Sequence, residues 1–178
     1  MLYEFKGLRP NIDPTAYISP EATIIGAVTI GAQCYVGPGA VIRADEKPVV
    51  LLERSVVEDG AIIHGGGRRS GTTIGPEVTI GHGAIVHSER LHEGSAVGMG
   101  AVLSLDSVLE PGAIVAEGAV VKSGQTITRD TVAGGVPAKP LRPVSQADKA
   151  AWKANNRCYV ELARDCLEGA LRPLEEEK

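Results

Sequence analysis

An aliphatic residue returns every six positions along most of this 178-residue chain. Ile24, Ile30, Val36 and Ile42 keep that step, as do Leu51, Val57 and Ile63, and then Ile74, Ile80 and Val86. After a five-residue step to Leu91 it runs on through Val97, Leu103, Leu109, Val115, Val121 and Ile127. Two residues ahead of most of these stands a small or modest side chain: Ala22, Val28, Cys34, Ala40, Ser55, Ala61, Val78, Ala84, Ser95, Ala101, Ser107, Ala113 and Ala119. A period of six fits neither an α-helix nor a strand that doubles back on itself. It fits an all-β solenoid, a parallel β-helix in which three hexapeptides close one triangular coil and each aliphatic stacks on the one below. Glycines that follow the aliphatic, at Gly31, Gly37, Gly75, Gly81 and Gly98, are expected at turns needing positive φ or close backbone approach. Only 3% of the chain is aromatic, so Val, Ile, Leu and Ala have to build the core.

Interruptions of so strict a pattern are informative. From Ile42 to Leu51 the step widens to nine, which predicts an outward loop near Asp45-Glu46-Lys47. From Ile63 to Ile74 it widens to eleven, which ejects Gly65 to Gly71, with Arg68 and Arg69 as candidate anion contacts. Loops on a rigid solenoid are where function is grafted.

After Pro140 the pattern turns helical, from Ser145 to about Leu171. Ser145 and Asp148 have the spacing of a capping box, with Asp in place of Glu. Tyr159, Leu162, Ala163, Cys166 and Ala170 fall on one face, to be buried along the coil or against a neighbouring subunit. The division is then residues 1–143 for the β-helix with its lead-in and 144–178 for a C-terminal α-helix, ending in a frayed Glu175–Lys178 tail.

The net charge is −4 and no long basic block occurs, so nucleic acid and anionic membrane surfaces are poor partners. No apolar stretch approaches 18 residues, and Met1 to Lys6 lacks the basic start of a signal peptide. Cys158 and Cys166, if they share a helix, lie ~12 Å apart along it, too far to bridge. A reduced, cytoplasmic protein is expected.

The four histidines, His64, His82, His87 and His92, fall within 29 residues. His64 follows Ile63 and His87 follows Val86, three hexapeptide steps later, so the pair shares one corner of adjacent coils ~4.8 Å apart. Two imidazoles at that separation suit one metal ion. His82 lies on another side of the triangle and reaches such an ion only from a neighbouring chain of a symmetric homotrimer. Three histidines with an open fourth position form the pattern of catalytic zinc, whose bound water ionises near neutral pH. His92 reads as a surface residue.

Several segments together resemble the γ-class carbonic anhydrase family: Arg43-Ala44-Asp45, Glu58-Asp59-Gly60 running to His64, Gly81-His82-Gly83-Ala84-Ile85-Val86-His87, and Val97-Gly98-Met99-Gly100. Gly135 to Lys139 and Ala151-Trp152-Lys153 further resemble its phenylacetate-degradation and carnitine-operon branch. The resemblance implies left-handed coils, which the period alone does not give. It implies His64 and His87 as metal ligands from one subunit and His82 from the next, with Zn2+ the expected ion and Fe2+ or Co2+ compatible. It implies Arg43, Asp45 and Asp59 as charged contacts across the subunit interface, and carbon dioxide and bicarbonate as substrates of a metal-bound hydroxide. Glu58 or Glu46 is then the proton carrier.

Two departures stand out. Glu58 occupies a place where the family commonly has Gln, and Asp130 to Gly134 offers no counterpart of a tyrosine often found near the end of the coil. The competing readings are a CoA-thioester hydrolase or acyltransferase, which needs a single histidine base, and a metal-stabilised trimeric scaffold without catalysis.

Overall fold

A computed structural model describes residues 1–66 and 70–174, which form twenty strands, most of them two or three residues long, and one helix. The strands lie on three faces of a triangular parallel solenoid. On the first face Tyr17–Ile18, Tyr35–Val36, Val56–Val57, Thr79–Ile80, Ala96–Val97, Ile114–Val115 and Thr131–Gly134 pair in parallel, in that order. On the second, Ile24, Ile42, Ile63, Val86, Leu103 and Val121 stand in direct register. On the third the register runs Ile12, Ile30, Leu51, Ile74, Leu91, Leu109 and Ile127.

The six-residue step is thus one face per step, and three steps return to the same face one rung higher. Ile24, Ile42, Ile63, Ile80 and Leu103 are fully buried, and so are the small residues two places ahead, such as Ala22, Ala61, Ala84 and Ala101. Each buried Ile or Leu contributes about 1.5–3 kcal/mol relative to exposure. Small partners let three such columns meet without a void.

The glycines that follow the aliphatics serve by close approach and not by positive φ. A Cβ on Gly98 would sit 2.5 Å from the Glu117 amide nitrogen and 2.7 Å from the Ala116 carbonyl carbon of the next coil. Positive φ belongs to a different hexapeptide position, as at Gly83 and Gly100.

The expected loop near Asp45–Lys47 is corrected: Val41–Leu51 is one continuous strand that turns the corner from the second face to the third. The extra residues arch outward within it, because Ala44 pairs with Gly26 and Val49 with Val28. Amide–carbonyl bonds from Lys47 to Gly65 (2.9 Å) and from Gly65 to Arg43 (2.8 Å) tie the arch to the next coil. Arg68 and Arg69, with Gly67, lie outside the described residues, as does the Glu175–Lys178 tail.

A final strand, Lys139–Pro143, runs antiparallel against Thr131–Gly134. The chain then enters helix α1, Gln146–Leu167, through the capping box read from Ser145 and Asp148. The helix ends four residues before Leu171; Gly169, at φ +90°, lies just beyond it. It lies on the first face. Tyr17 stacks on Tyr35 (ring centroids 5.6 Å), Tyr35 meets Tyr159 (5.0 Å), and Ala163 is buried among them. Trp152 packs on Ala96 and Ile114 nearer the other end. Leu162 and Ala170, expected on the buried face, are exposed; the docked line is Trp152, Asn156, Tyr159, Ala163 and Cys166. No helix among the described residues is long and apolar enough to cross a membrane.

Replacing Gly98 with Ala is expected to lower the unfolding free energy by about 1–3 kcal/mol, because backbone must shift to admit the methyl group. Gly100→Ala, with nothing within 4 Å of the new Cβ but φ at +66°, is expected to cost about 1 kcal/mol. Denaturant unfolding of the two variants measures the difference.

Candidate active site

The turn that follows the first face stacks one residue per coil into a corner column. Gly60 donates its amide to Pro38, Gly83 to Asp59, Gly100 to His82 and Gly118 to Met99, at 2.8–2.9 Å. Pro38, Asp59, His82, Met99 and Glu117 are thereby set above one another at the rung spacing. Helix α1 runs beside this column.

Glu58 is the hub of the site and is only 5% exposed. A buried carboxylate requires donors, and it has them. Its Oε2 accepts the backbone N–H of His82 at 3.1 Å and its Oε1 accepts the Asn155 side-chain amide at 3.2 Å. The same Oε2 is 3.2 Å from Nε2 of His82. The carboxylate only accepts, so any bond to it from this ring nitrogen needs the proton on Nε2. The phenol oxygen of Tyr159 lies 3.3 Å from the same Nε2. Asp59 lies 3.7 Å from Nδ1, beyond hydrogen-bond range. Burial first, then the charges of Glu58 and Asp59, push the Tyr159 phenol up to about 12, so it stays neutral. A cleft of about 290 Å³ opens here, bounded by Met99, Glu117, Trp152 and Tyr159 beside His82. The His82 side chain is 42% exposed.

A second corner, after the second face, holds His64 and His87. Ile63 pairs with Val86, and the two rings stand edge to face with centroids 4.8 Å apart. Asp45 Oδ1 lies 3.0 Å from His64 Nε2, and Arg43 bonds the other oxygen. Burial works against the Asp45 charge, yet the bonds to His64 and Arg43 hold its carboxyl below the usual range. His87 Nδ1 is buried with no hydrogen-bond partner among the described residues. Glu46 stands exposed on the arch.

The sequence-selected residues therefore form two groups within one chain. Glu58, Asp59 and His82 meet at one corner; Arg43, Asp45, His64 and His87 meet at another. Asn155 and Tyr159 went unrecognised as site residues. Tyr159 was visible only as part of an apolar helical stripe, and Asn155 carried no pattern at all. The tyrosine beside His82, Tyr159, comes from α1.

Hexapeptide coils, a histidine at a coil corner and a helix laid along one face define the hexapeptide-repeat class of left-handed β-helix proteins. No protein-family model matches the chain. It is 36% identical over 168 residues to the carnitine operon protein CaiE of Proteus sp. (strain LE138), spanning 94% of this chain and 85% of that protein. A hexapeptide transferase family protein of Anaplasma phagocytophilum superposes with a TM-score of 0.87 at 32% identity, over 92% of this chain and 96% of the other. A Bacillus cereus protein assigned as an acetyltransferase superposes at 0.82 with 26% identity, over 94% and 97%. The chain belongs to the family of the carnitine operon protein CaiE.

These likenesses carry the hexapeptide-repeat and carnitine-operon part of the sequence resemblance and correct the rest. The γ-class carbonic anhydrase assignment, a lyase hydrating carbon dioxide to bicarbonate, gives way to relatives described as a CaiE protein, a hexapeptide transferase and an acetyltransferase. The Zn2+ centre, with Fe2+ and Co2+ as its variants, is corrected on the same likenesses. Among the described residues, moreover, no three His, Cys, Asp or Glu side chains converge as a group able to hold a metal ion. Within one chain His82 stands in a different column from His64 and His87, as their spacing in the sequence implies.

Burial first, and then the neighbouring His64, depress the affinity of His87 for a proton below its usual value of 6.5. A depressed imidazole contributes stability that is present above the ordinary value and lost as pH falls through the folded one. Urea unfolding from about pH 7.5 to about pH 5.5 is expected to show falling stability, and His87→Gln to flatten part of that fall.

Proposed function

We propose that the protein is a CoA-dependent acyltransferase in which His82 is the general base. One observation carries this reading: a half-exposed imidazole, His82, stands at an open cleft with the buried carboxylate of Glu58 3.2 Å from its Nε2. The likeness to a hexapeptide transferase at 32% identity supports it. Acyl transfer needs one histidine, so the distance of His64 and His87 from this corner is no obstacle.

In the reaction, a hydroxyl or amine of the acceptor gives its proton to the unprotonated imidazole nitrogen of His82 as its oxygen or nitrogen attacks the thioester carbonyl carbon. The carbon–sulfur bond then breaks, and the departing thiolate takes the proton from the imidazolium, releasing free CoA and leaving the acylated acceptor. Glu58, 3.2 Å from Nε2, and Asp59, 3.7 Å from Nδ1, stabilise the imidazolium that forms between the two steps. Tyr159 and Asn155 keep Glu58 and the ring in place and act as positioning residues. Thiol release from acetyl-CoA in the presence of mixed hydroxyl and amine acceptors tests the proposal. His82→Ala is expected to slow it by about 10²–10⁴-fold, and wild-type release equal to that of His82→Ala would sink it.

The working form is a homotrimer. Of the three outer faces, the first is covered by α1 and the third presents a mixed row, Thr29, Val50, Thr73, Arg90, Val108 and Thr126. The second carries an aliphatic row, Val41, Ile62, Ile85, Val102 and Val120, with Ile62 40% and Ile85 37% exposed. Such a row on an outer sheet face fits a contact between copies. Three free cysteines, Cys34, Cys158 and Cys166, support a reducing, cytoplasmic setting. Sedimentation velocity is expected to give three chains per particle, and Ile85→Glu to give one. A wild-type monomer would end this part of the reading.

A further inference from the structure

The column that carries His82 continues past Met99 to Glu117, each residue seated on the one below. Two rungs separate His82 from Glu117, ~10 Å. Between this column and α1 the cleft is lined by two carboxylates, Glu58 and Glu117, and by Met99, Trp152 and Tyr159. No lysine or arginine is among the described residues that line it.

The two glutamates differ in what they have left to offer. Glu58 is buried and its oxygens are taken by His82 and Asn155. Glu117 is exposed, and its carboxylate makes no hydrogen bond or ion pair among the described residues. The Asn155 amide bonds Glu58, and the Tyr159 phenol stands 3.3 Å from the imidazole. What remains at the upper end is an unpaired carboxylate, an indole and an exposed thioether, Met99 being 53% exposed. That set repels anions and attracts cations, by charge at Glu117 and by the aromatic quadrupole at Trp152. The phosphates of CoA are unwelcome in such a cleft, so it serves the other reactant.

Resting on the acyl-transfer reading, we infer that the Glu117–Trp152 end of the cleft is a subsite for an alkylammonium head. The acyl acceptor then carries that cation ~10 Å from the hydroxyl or amine that meets His82. The acceptor class is an amino alcohol or a diamine with one end held as a cation.

Trp152 is the one tryptophan of the chain, so its fluorescence reports on this cleft without any turnover. Tetramethylammonium chloride, which bears a permanent charge, is titrated into the full-length protein against sodium chloride at equal ionic strength. Tert-butanol serves as the neutral counterpart of similar shape. The cation is expected to change Trp152 emission saturably while tert-butanol and sodium chloride do not, and Glu117→Gln to weaken that response about fivefold. An equal response to tert-butanol, or a Glu117→Gln titration that matches the wild type, would overturn the subsite. The enzyme reading fails separately. Cation binding without thiol release from acyl-CoA with any acceptor supports the subsite and removes acyl transfer. Transfer to neutral acceptors without a cation response leaves acyl transfer standing and removes the subsite.

Discussion

Every coil of this molecule is located by three aliphatic residues resting on those of the coil beneath. Ile42, Ile63, Val86, Leu103 and Val121 make one such column, and the other two faces repeat it. The interior is only as wide as one aliphatic and one small residue per face, so a coil has no freedom to slide or rotate against its neighbour. The corners inherit that precision. Asp59, His82, Met99 and Glu117 are spaced by the rung of the ladder because the hidden residues beside them are, and a turn of two or three residues has little room to deviate.

The electrostatics of the site depend on the same constraint and on one addition to it. A carboxylate as buried as Glu58 is tolerable only while its oxygens are bonded. The solenoid supplies the amide of His82, and α1 supplies the rest from Asn155, with Tyr159 completing the surroundings. The helix is thus both a cover for the apolar outer side of the first face and the source of the groups that let a charge remain inside. Remove the helix and Glu58 faces either water or an unpaired burial, and the imidazole it holds is released with it.

The solenoid was legible in the sequence because its information is periodic: each aliphatic from Ile24 to Ile127 fell on the face its count assigned. The cap at Ser145 was legible for a similar reason, since two residues at a fixed spacing, Ser145 and Asp148, define it. The arch at Asp45–Pro48 could be read as an interruption but not as a strand, because its pairing depends on Gly65 in the next coil. The docked side of α1 was misjudged at Leu162 and Ala170, where hydrophobicity alone pointed the wrong way and contact with Tyr35 and Val56 decided the matter. The chemistry was the least legible. Histidines one coil apart at a corner are close whatever they do, so the spacing of His64 and His87 gave proximity without purpose. What distinguishes His82 is its company, and Asn155 and Tyr159 come from more than seventy residues away.

A stack of coils, taken alone, is a one-dimensional object whose ends can peel while its middle stays intact. The strap formed by α1 changes that. Its 22 residues extend ~33 Å, against ~29 Å for the seven rows of the first face, and it runs back from the last coil toward the first. Trp152 grips the rows of Ala96 and Ile114; Ala163 and Cys166 grip those of Tyr17 and Tyr35. A coil at either end cannot lift away without tearing the helix from its own seat, so the two extremities share one fate. The repeat supplies an open ladder, and the helix turns it into a closed circuit that gives way as a whole or not at all.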